Sequence, residues 1–408
     1  MPAAFADLRA QLVREITERG ALRSGRVAAA FLGVPRHVFL PDVAPDEVYS
    51  DRSIPVKLED GVPISSSSQP AMMAEMLEQL DIRAGERVLE IGAGSGYNAA
   101  LLAVLAGPSG SVTTVELDAD LAAAARDHLD RAGFSRVRVV CADGTAGDPA
   151  GAPFDAMIAS IGVGDVPAAW HAQLRRGGRL VMPLSLRTMQ KVICFERGDR
   201  SLASTSIVDG GFMMLRGNTE SVAGPALALD DATFLRVLDP AAVDRRALNA
   251  TLRAATQDTA TVAPLTIDDL WLSFGWWLAL HEDGFCRVTV TGPAALTMHV
   301  PDITGANRAS LHAEATTVGL LAGDELALLA LLPDGRITIR SFGRAPRALS
   351  RLQAAIAAWN TAGRPQNDEL QVEIFPRDGR AGEPPQVAAA SIAVALPSAY
   401  AIVSWERS

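Results

Sequence analysis

Three glycines at alternate positions, Gly92, Gly94 and Gly96, follow a short apolar run and precede an alanine-rich segment. That junction constrains the fold more than any other feature of the chain. Residues 87–91 read as a buried strand, and residues 98–106 have good helix propensity. A strand that turns through Gly-x-Gly-x-Gly into a helix lets a ligand approach the backbone closely, because no Cβ stands in the way. Taken alone, the turn is shared by several nucleotide-binding classes.

The acids around the turn favour S-adenosylmethionine over a dinucleotide. Glu90 precedes the first glycine, where a carboxylate suits an amino-acid ammonium and would repel a pyrophosphate. Residues 111–116 read as a second strand ending in Glu116, which lies 22 residues after Gly94. At that spacing an acid meets ribose hydroxyls at the tip of the next strand. A third strand, residues 137–141, leads to Asp143, placed to accept a hydrogen bond from an adenine amino group. A fourth spans residues 154–160. Four strand tips around one crevice make a binding site at the carboxyl edge of a parallel sheet.

Strand and helix alternate from residue 80 to about 215, which predicts an α/β fold with a mostly parallel, Rossmann-like sheet and helices on both faces. A length of 408 residues favours two domains. The expected division is a catalytic domain at 1–217, a linker at 218–229 holding Gly224-Pro225, and a smaller mixed α/β domain at 230–408. Near the amino terminus, residues 5–19 have a helical apolar face, and Ser24 can cap a second helix. From Pro35 to Pro70 the chain reads as loop-rich, a length that points to function. In the second half, residues 241–256 and 347–359 read as helices and 369–375 as a strand. Residues 326–332 and 336–341 form a hairpin around Pro333-Asp334-Gly335. The tryptophan-rich stretch 270–277 is either core packing or a peptide groove. His281, His299 and His312 are isolated in apolar surroundings and read as packed side chains.

Composition sets the exclusions. A net charge of −10 argues against a nucleic-acid partner. Three cysteines, Cys141, Cys194 and Cys286, are too few for a disulfide framework or zinc site, so buried thiols and no metal are expected. The uncharged run 384–405 is long enough to span a membrane, but Pro397 interrupts it and two buried strands fit better. The first twenty residues carry several charges and do not read as a signal peptide. A cytoplasmic protein without a membrane partner is the expectation.

At this level of detail the chain resembles a known family. The run Glu90-Ile91-Gly92-Ala93-Gly94-Ser95-Gly96-Tyr97, then Ala142-Asp143-Gly144, then residues 174–183 are similar to the protein-L-isoaspartate O-methyltransferase family. So are residues 34–39, 49–56 and 64–70, and the resemblance covers roughly residues 5–217. It implies that Glu90, Gly92, Ala93, Gly94, Gly96, Tyr97, Glu116, Leu117, Asp143 and Gly144 bind the donor, with S-adenosylhomocysteine as product. It also implies a serine that positions the acceptor carboxylate. The family's serine stands next to Gln-Pro, which maps onto Ser68; the loop is longer than usual, so Ser65 competes for the role. Read from the residues alone, Ser68 either caps the helix near Pro70 or offers hydroxyl and N–H groups to a carboxylate. Ser66, Ser67, Gln69, Ile54 and Pro55 complete the expected acceptor side.

The lengthened serine loop and the second domain are similar to peptide-tailoring relatives associated with lanthipeptides. That likeness implies methylation of an Asp side chain in a cyclised ribosomal precursor peptide, leading through succinimide to isoaspartate. General isoaspartate repair is the alternative. A degenerate donor-binding module acting as an interaction protein is a third reading, against which the intact acids and glycines argue. Methylating a carboxylate calls for no general base, since a free Asp titrates near pH ~3.9. Catalysis then rests on alignment.

Overall fold

In the computed structural model, residues 2–59, 61–216, 226–291, 314–332, 334–377 and 391–405 are described. They belong to two units. The first comprises Met1–Leu184, Gln190–Thr219 and Gln371–Val403, and the second Ser185–Met189, Glu220–Leu370 and Ser404–Ser408.

The first unit opens with helices α1 (Pro2–Glu18), α2 (Gly25–Gly33) and α3 (Pro45–Val48). Ser24 caps α2 by accepting from the Val27 N–H, which turns Val27, Ala30 and Phe31 into the core as their spacing requires. The stretch expected to be loop-rich contains an antiparallel hairpin, β1 (Ile54–Glu59) with β2 (Val62–Ser67). Three of the four consecutive serines therefore lie on a strand. The pairing is irregular between Pro55 and Leu58, and so few apolar residues alternate here that periodicity gave no strand signal.

After α4 (Pro70–Leu80), strands and helices alternate: β3 (Arg87–Ile91), α5 (Tyr97–Ala106), β4 (Ser111–Glu116), α6 (Ala119–Arg131), β5 (Arg138–Cys141), β6 (Phe154–Ala159), α7 (Ala168–Gln173) and β7 (Leu174–Leu186). The order β5-β4-β3-β6-β7 is parallel throughout, which puts the carboxyl ends of these strands on one edge. Helix α5 is buried along almost its whole length, which accounts for its alanines: only small side chains let a helix lie this deep. Beyond β7 the sheet continues with β8 (Met189–Arg197) and β9 (Leu202–Val208), which pair antiparallel.

The second unit holds a seven-stranded sheet of order β10-β11-β13-β14-β15-β16-β12. Its strands are β10 (Leu227–Ala228), β11 (Thr233–Val237), β12 (Thr256–Ala260), β13 (Phe285–Thr291), β14 (Glu314–Ala322), β15 (Glu325–Leu331) and β16 (Ile337–Phe342). Helix α8 (Arg245–Leu252) is shorter than the expected 241–256, because Thr256 already belongs to β12. Its Leu248 and Leu252 share a core with Leu326 and Leu328 of β15, packing that alternation along the strand makes possible. The expected hairpin and final helix are present as β15–β16 and Pro346–Thr361, although Pro333 lies outside the described residues. Of the clustered tryptophans, Trp276 is buried and Trp277 stacks on His281, with ring centroids 4.0 Å apart. His281 is thus an exposed stacking partner and not a core residue. His299 and His312 lie outside the described residues.

The domain division expected at 230–408 needs correcting. Strands β17 (Leu370–Pro376), β18 (Ile392–Ala395) and β19 (Ala399–Trp405) join the sheet of the first unit, extending its order to β18-β19-β17-β9-β8. Glu373 and Ile374 pair with Ala203 and Leu202 of β9, and Ser201 Oγ donates to Glu373 at 2.6 Å. The unpaired edge of β9 supplies the reason: a long edge strand is satisfied by the next strand available, whatever its place in the sequence. Most of the linker expected at 218–229 lies outside the described residues. Cys194 and Cys286 are buried as expected, whereas Cys141 is exposed. Among the described residues no helix is long and apolar enough to cross a membrane.

Candidate active site

The glycine turn, the serine hairpin, α4 and the segment 211–216 enclose one cavity of about 380 Å³ in the first unit. Its floor is the carboxyl edge of the parallel sheet. Gly92, Gly94 and Gly96 all have positive φ, at 94°, 52° and 87°. A side chain at Gly92 would press on Ile161, and one at Gly96 would meet the Ala125 carbonyl at 3.1 Å, so these two glycines are needed for packing as well as for backbone shape. Gly94 differs. A Cβ there would have only ordinary contacts, with Ser65 Oγ and the Ser66 carbonyl at 3.6 Å. Gly94 therefore marks the meeting of the donor turn with the serine hairpin.

Glu116 is held in place by backbone N–H groups. Its Oε2 accepts from Gly94 at 2.9 Å, and its Oε1 from Leu117 and Asp118 at 2.9 and 3.2 Å. Three donors keep the carboxylate oriented while it lines the cavity. Glu90 behaves otherwise than expected. It is fully buried and does not line the cavity. Its oxygens accept from Asn98 Nδ2 at 2.7 Å, Thr114 Oγ1 at 2.6 Å and, weakly, Ser160 Oγ at 3.4 Å. Burial pushes its pKa up to about 7 against those hydrogen bonds. Glu90 acts through the cavity wall, since Asn98 and Ser160 both line it.

Asp143 is likewise not a lining residue. Its Oδ1 accepts from the Thr145 N–H at 2.9 Å and caps a short turn, while Gly144 faces the cavity. Leu117, Ala93 and Tyr97 line it as expected. Ile54 is buried away from it, and only Pro55 of that pair reaches it, because neighbouring residues of a strand point to opposite faces.

The four serines and Gln69 all line the cavity. Among the described residues, no hydrogen bond engages the hydroxyls of Ser65, Ser66 or Ser68, while Ser67 Oγ accepts from Arg36 Nη2 at 3.4 Å. Ser68 does not cap α4. Gln69 stands at the N-cap without a side-chain capping bond, and Asp51 Oδ1 takes the Ala71 N–H instead, at 2.8 Å. Arg36, fully buried, holds the loops together by donating to the carbonyls of Val48 (2.9 Å), Ser50 (3.2 Å) and Ser68 (3.1 Å).

Sequence reasoning missed the far wall, residues 211–216. It is fastened by Gln190, whose Oε1 accepts from the Phe212 N–H at 2.7 Å and whose Nε2 donates to the Phe212 carbonyl at 3.2 Å. Arg216 donates to Asp118 at 2.5 Å, and Lys57 of the hairpin reaches Asp118 and Asp120 at 3.5 and 2.7 Å. No motif marks this segment; the one available signal was its position just before the expected linker. Asn98, Ser95 and Ser160 were missed too, although Asn98 and Ser95 adjoin residues that the motifs single out and Ser160 ends the expected fourth strand.

An S-adenosylmethionine fits what is present. The buried Asn98 Oδ1, which lines the cavity in front of Glu90, has no partner among the described residues, and an ammonium would satisfy it. Glu116 keeps acceptor capacity for hydroxyl donors. No group of three metal-ligating side chains occurs among the described residues.

Residues 7–219 match the family model described as protein-L-isoaspartate(D-aspartate) O-methyltransferase. The chain is 42% identical over 194 residues to a protein-L-isoaspartate O-methyltransferase of Methanopyrus kandleri, covering 47% of this chain and 84% of that protein. It is 41% identical over 216 residues to protein-L-isoaspartate O-methyltransferase 2 of Marinobacter nauticus, covering 52% and 94%. A solved structure titled protein-L-isoaspartate O-methyltransferase aligns with a TM-score of 0.51 at 26% identity, over 90% of this chain and 96% of its own.

Proposed function

The chain belongs to the protein-L-isoaspartate O-methyltransferase family, and on that premise we propose that it methylates an Asp side chain in a dedicated, ribosomally made peptide. Its methyl donor is S-adenosylmethionine. The observation that carries the reading is that one cavity holds both a fixed carboxylate beside the glycine turn and three serine hydroxyls free to bind an acceptor.

When bound, the donor supplies an electrophilic methyl on a sulfonium. The residues of the chain do the rest. Glu116, with the Gly92–Gly96 turn, sets the position of the donor, and Asn98, backed by Glu90, faces its ammonium. Ser68 donates to one oxygen of the acceptor carboxylate and leaves the other to attack. No side chain removes a proton, because an aspartyl carboxylate is already ionised near neutral pH. The wall 211–216, pinned by Gln190, lines the same cavity.

The lengthened Ser65–Ser68 run supports a dedicated peptide acceptor, on the family likeness to tailoring enzymes. General repair of isoaspartyl proteins is the second reading, and a specific observation favours it. The isoaspartate methyltransferase structure aligns over nearly the whole chain, so a second half of this size is not in itself a mark of tailoring. The two part on the acceptor. If the chain tailors a peptide, a cyclised precursor with an ordinary Asp gains one methyl group, then loses methanol to give a product one water lighter than the start. Under repair, short isoaspartyl peptides of unrelated sequence are methylated and Asp peptides are not. Mass spectrometry of both acceptor sets with the purified full chain decides between them.

A further inference from the structure

Half of the ten methionines in the chain line this one cavity: Met72, Met73 and Met76 from α4, and Met213 and Met214 from the far wall. Neither element carries a residue of the donor turn, and together they make a methionine-lined stretch of the cavity wall. This stretch is built, not incidental. Met214 Sδ accepts from Gln190 Nε2 at 3.0 Å, and the space that a side chain at Gly162 would need is taken by Gln190, with Met214 Sδ beside it at 3.1 Å from the Cβ position. Met72 fills the space that a side chain at Gly210 would need, its Cε 2.9 Å from that Cβ position. Gly162 thus leaves room for Gln190 beside Met214, and Gly210 for Val192 and Met72. Met73 and Met76 are buried, and Met213 is 37% exposed at the mouth. Phe212 is the only aromatic ring beside them on that wall.

We propose that this methionine stretch is a specificity subsite that receives a bulky apolar or aromatic side chain adjoining the modified residue of the acceptor peptide. The inference rests on the carboxyl-methylation reading above and deepens it. Position supports it, since α4 begins two residues after Ser68 and Ser68, Gln69 and Met72 all line the cavity, so a carboxylate held at Ser68 has Met72 four residues along the chain. Chemistry supports it as well. Methionine is unbranched and polarisable, adapts its shape to different apolar partners and makes favourable contacts with ring edges. A site lined this way selects for apolar bulk without demanding one residue type. Among the described lining residues the one cation is Arg216, which is already paired with Asp118, so an acidic neighbour would be desolvated there without a free partner.

The test is a series of acceptor peptides, Asp and isoaspartyl, whose flanking residues are Phe, Leu, Ser, Gly or Glu, assayed with the full chain. Phe and Leu should raise kcat/KM about tenfold over Gly, mostly through KM, with Glu poorest. The double substitution Met72→Ala with Met213→Ser should bring the ratio of Phe to Gly near one, whereas Met213→Leu should keep it. Met213→Ser alone, at an exposed position, gives a folded protein in which the ratio should already fall. Equal turnover of every peptide, or a ratio unmoved by these substitutions, would overturn the subsite and leave methyl transfer standing. No turnover of any peptide would remove the methylation reading and this inference with it.

Discussion

Glu90 concentrates the chemistry of single residues in this protein. A carboxylate with no exposure and a pKa of about 7 binds its proton more tightly when the chain is folded than when it is unfolded. Its stabilising contribution is therefore full below about pH 4.5 and is lost as pH rises through about 7. Glu90→Gln lacks this titration. Between pH 4.5 and 8, wild type should lose roughly 3 kcal/mol relative to the variant, as measured by urea unfolding at each pH. Parallel pH profiles would show that Glu90 stays ionised in the fold. Ser68 makes a different claim. Its hydroxyl is free and caps nothing, so Ser68→Ala should leave Tm and donor affinity unchanged and slow methyl transfer by about tenfold or more. If Ser65→Ala gives that pattern instead, Ser65 takes the role, as its closeness to Gly94 would allow.

Among elements, α4 depends on a residue distant in sequence. Asp51 accepts from the Ala71 N–H at 2.8 Å, from Gln69 Nε2 at 3.0 Å and from Arg19 Nη1 at 2.8 Å. It closes the start of the helix and ties Gln69 to the loop that Arg36 organises. Asp51→Ala should cost about 1–2 kcal/mol of stability, the usual range for a lost cap. Because Ser68 and Gln69 precede the helix directly, the same variant should lower methyl transfer while donor binding by calorimetry stays near wild type. A fall in donor affinity of the same size would mean that the two ends of the cavity are not separable.

For the molecule as a whole, the return of β17 to β9 overrides the apparent division of the chain. A protein ending at residue 217 keeps every motif but leaves the β9 edge unpaired and removes the buried Val372, Ile374 and Val403. Such an edge invites association between chains. The truncated protein should elute as aggregate and melt well below the full chain. A monomeric fragment of unchanged Tm would show that the last strands add nothing to the first unit. Loss of activity on truncation is then no sign of peptide recognition by the second half.

What the sequence by itself determined is local. Gly92–Gly96 between an apolar strand and an alanine-rich helix specifies a strand–turn–helix unit, because backbone conformation and burial there depend on neighbours a few residues away. The parallel core, the Ser24 cap and the β15–β16 hairpin were legible for the same reason. Tertiary structure alone decided which motif residues face the ligand. Glu90 and Asp143 read alike as donor contacts, yet one was drawn behind the wall by Asn98 and Thr114 and the other into a turn. Equally, only the folded chain brings the methionines of α4 to those of residues 211–216, and β17 to β9. The physical reason is common to all of these. Hydrogen-bond partners and strand edges are satisfied by whatever the fold places beside them, at sequence separations over which no periodicity or motif carries a signal.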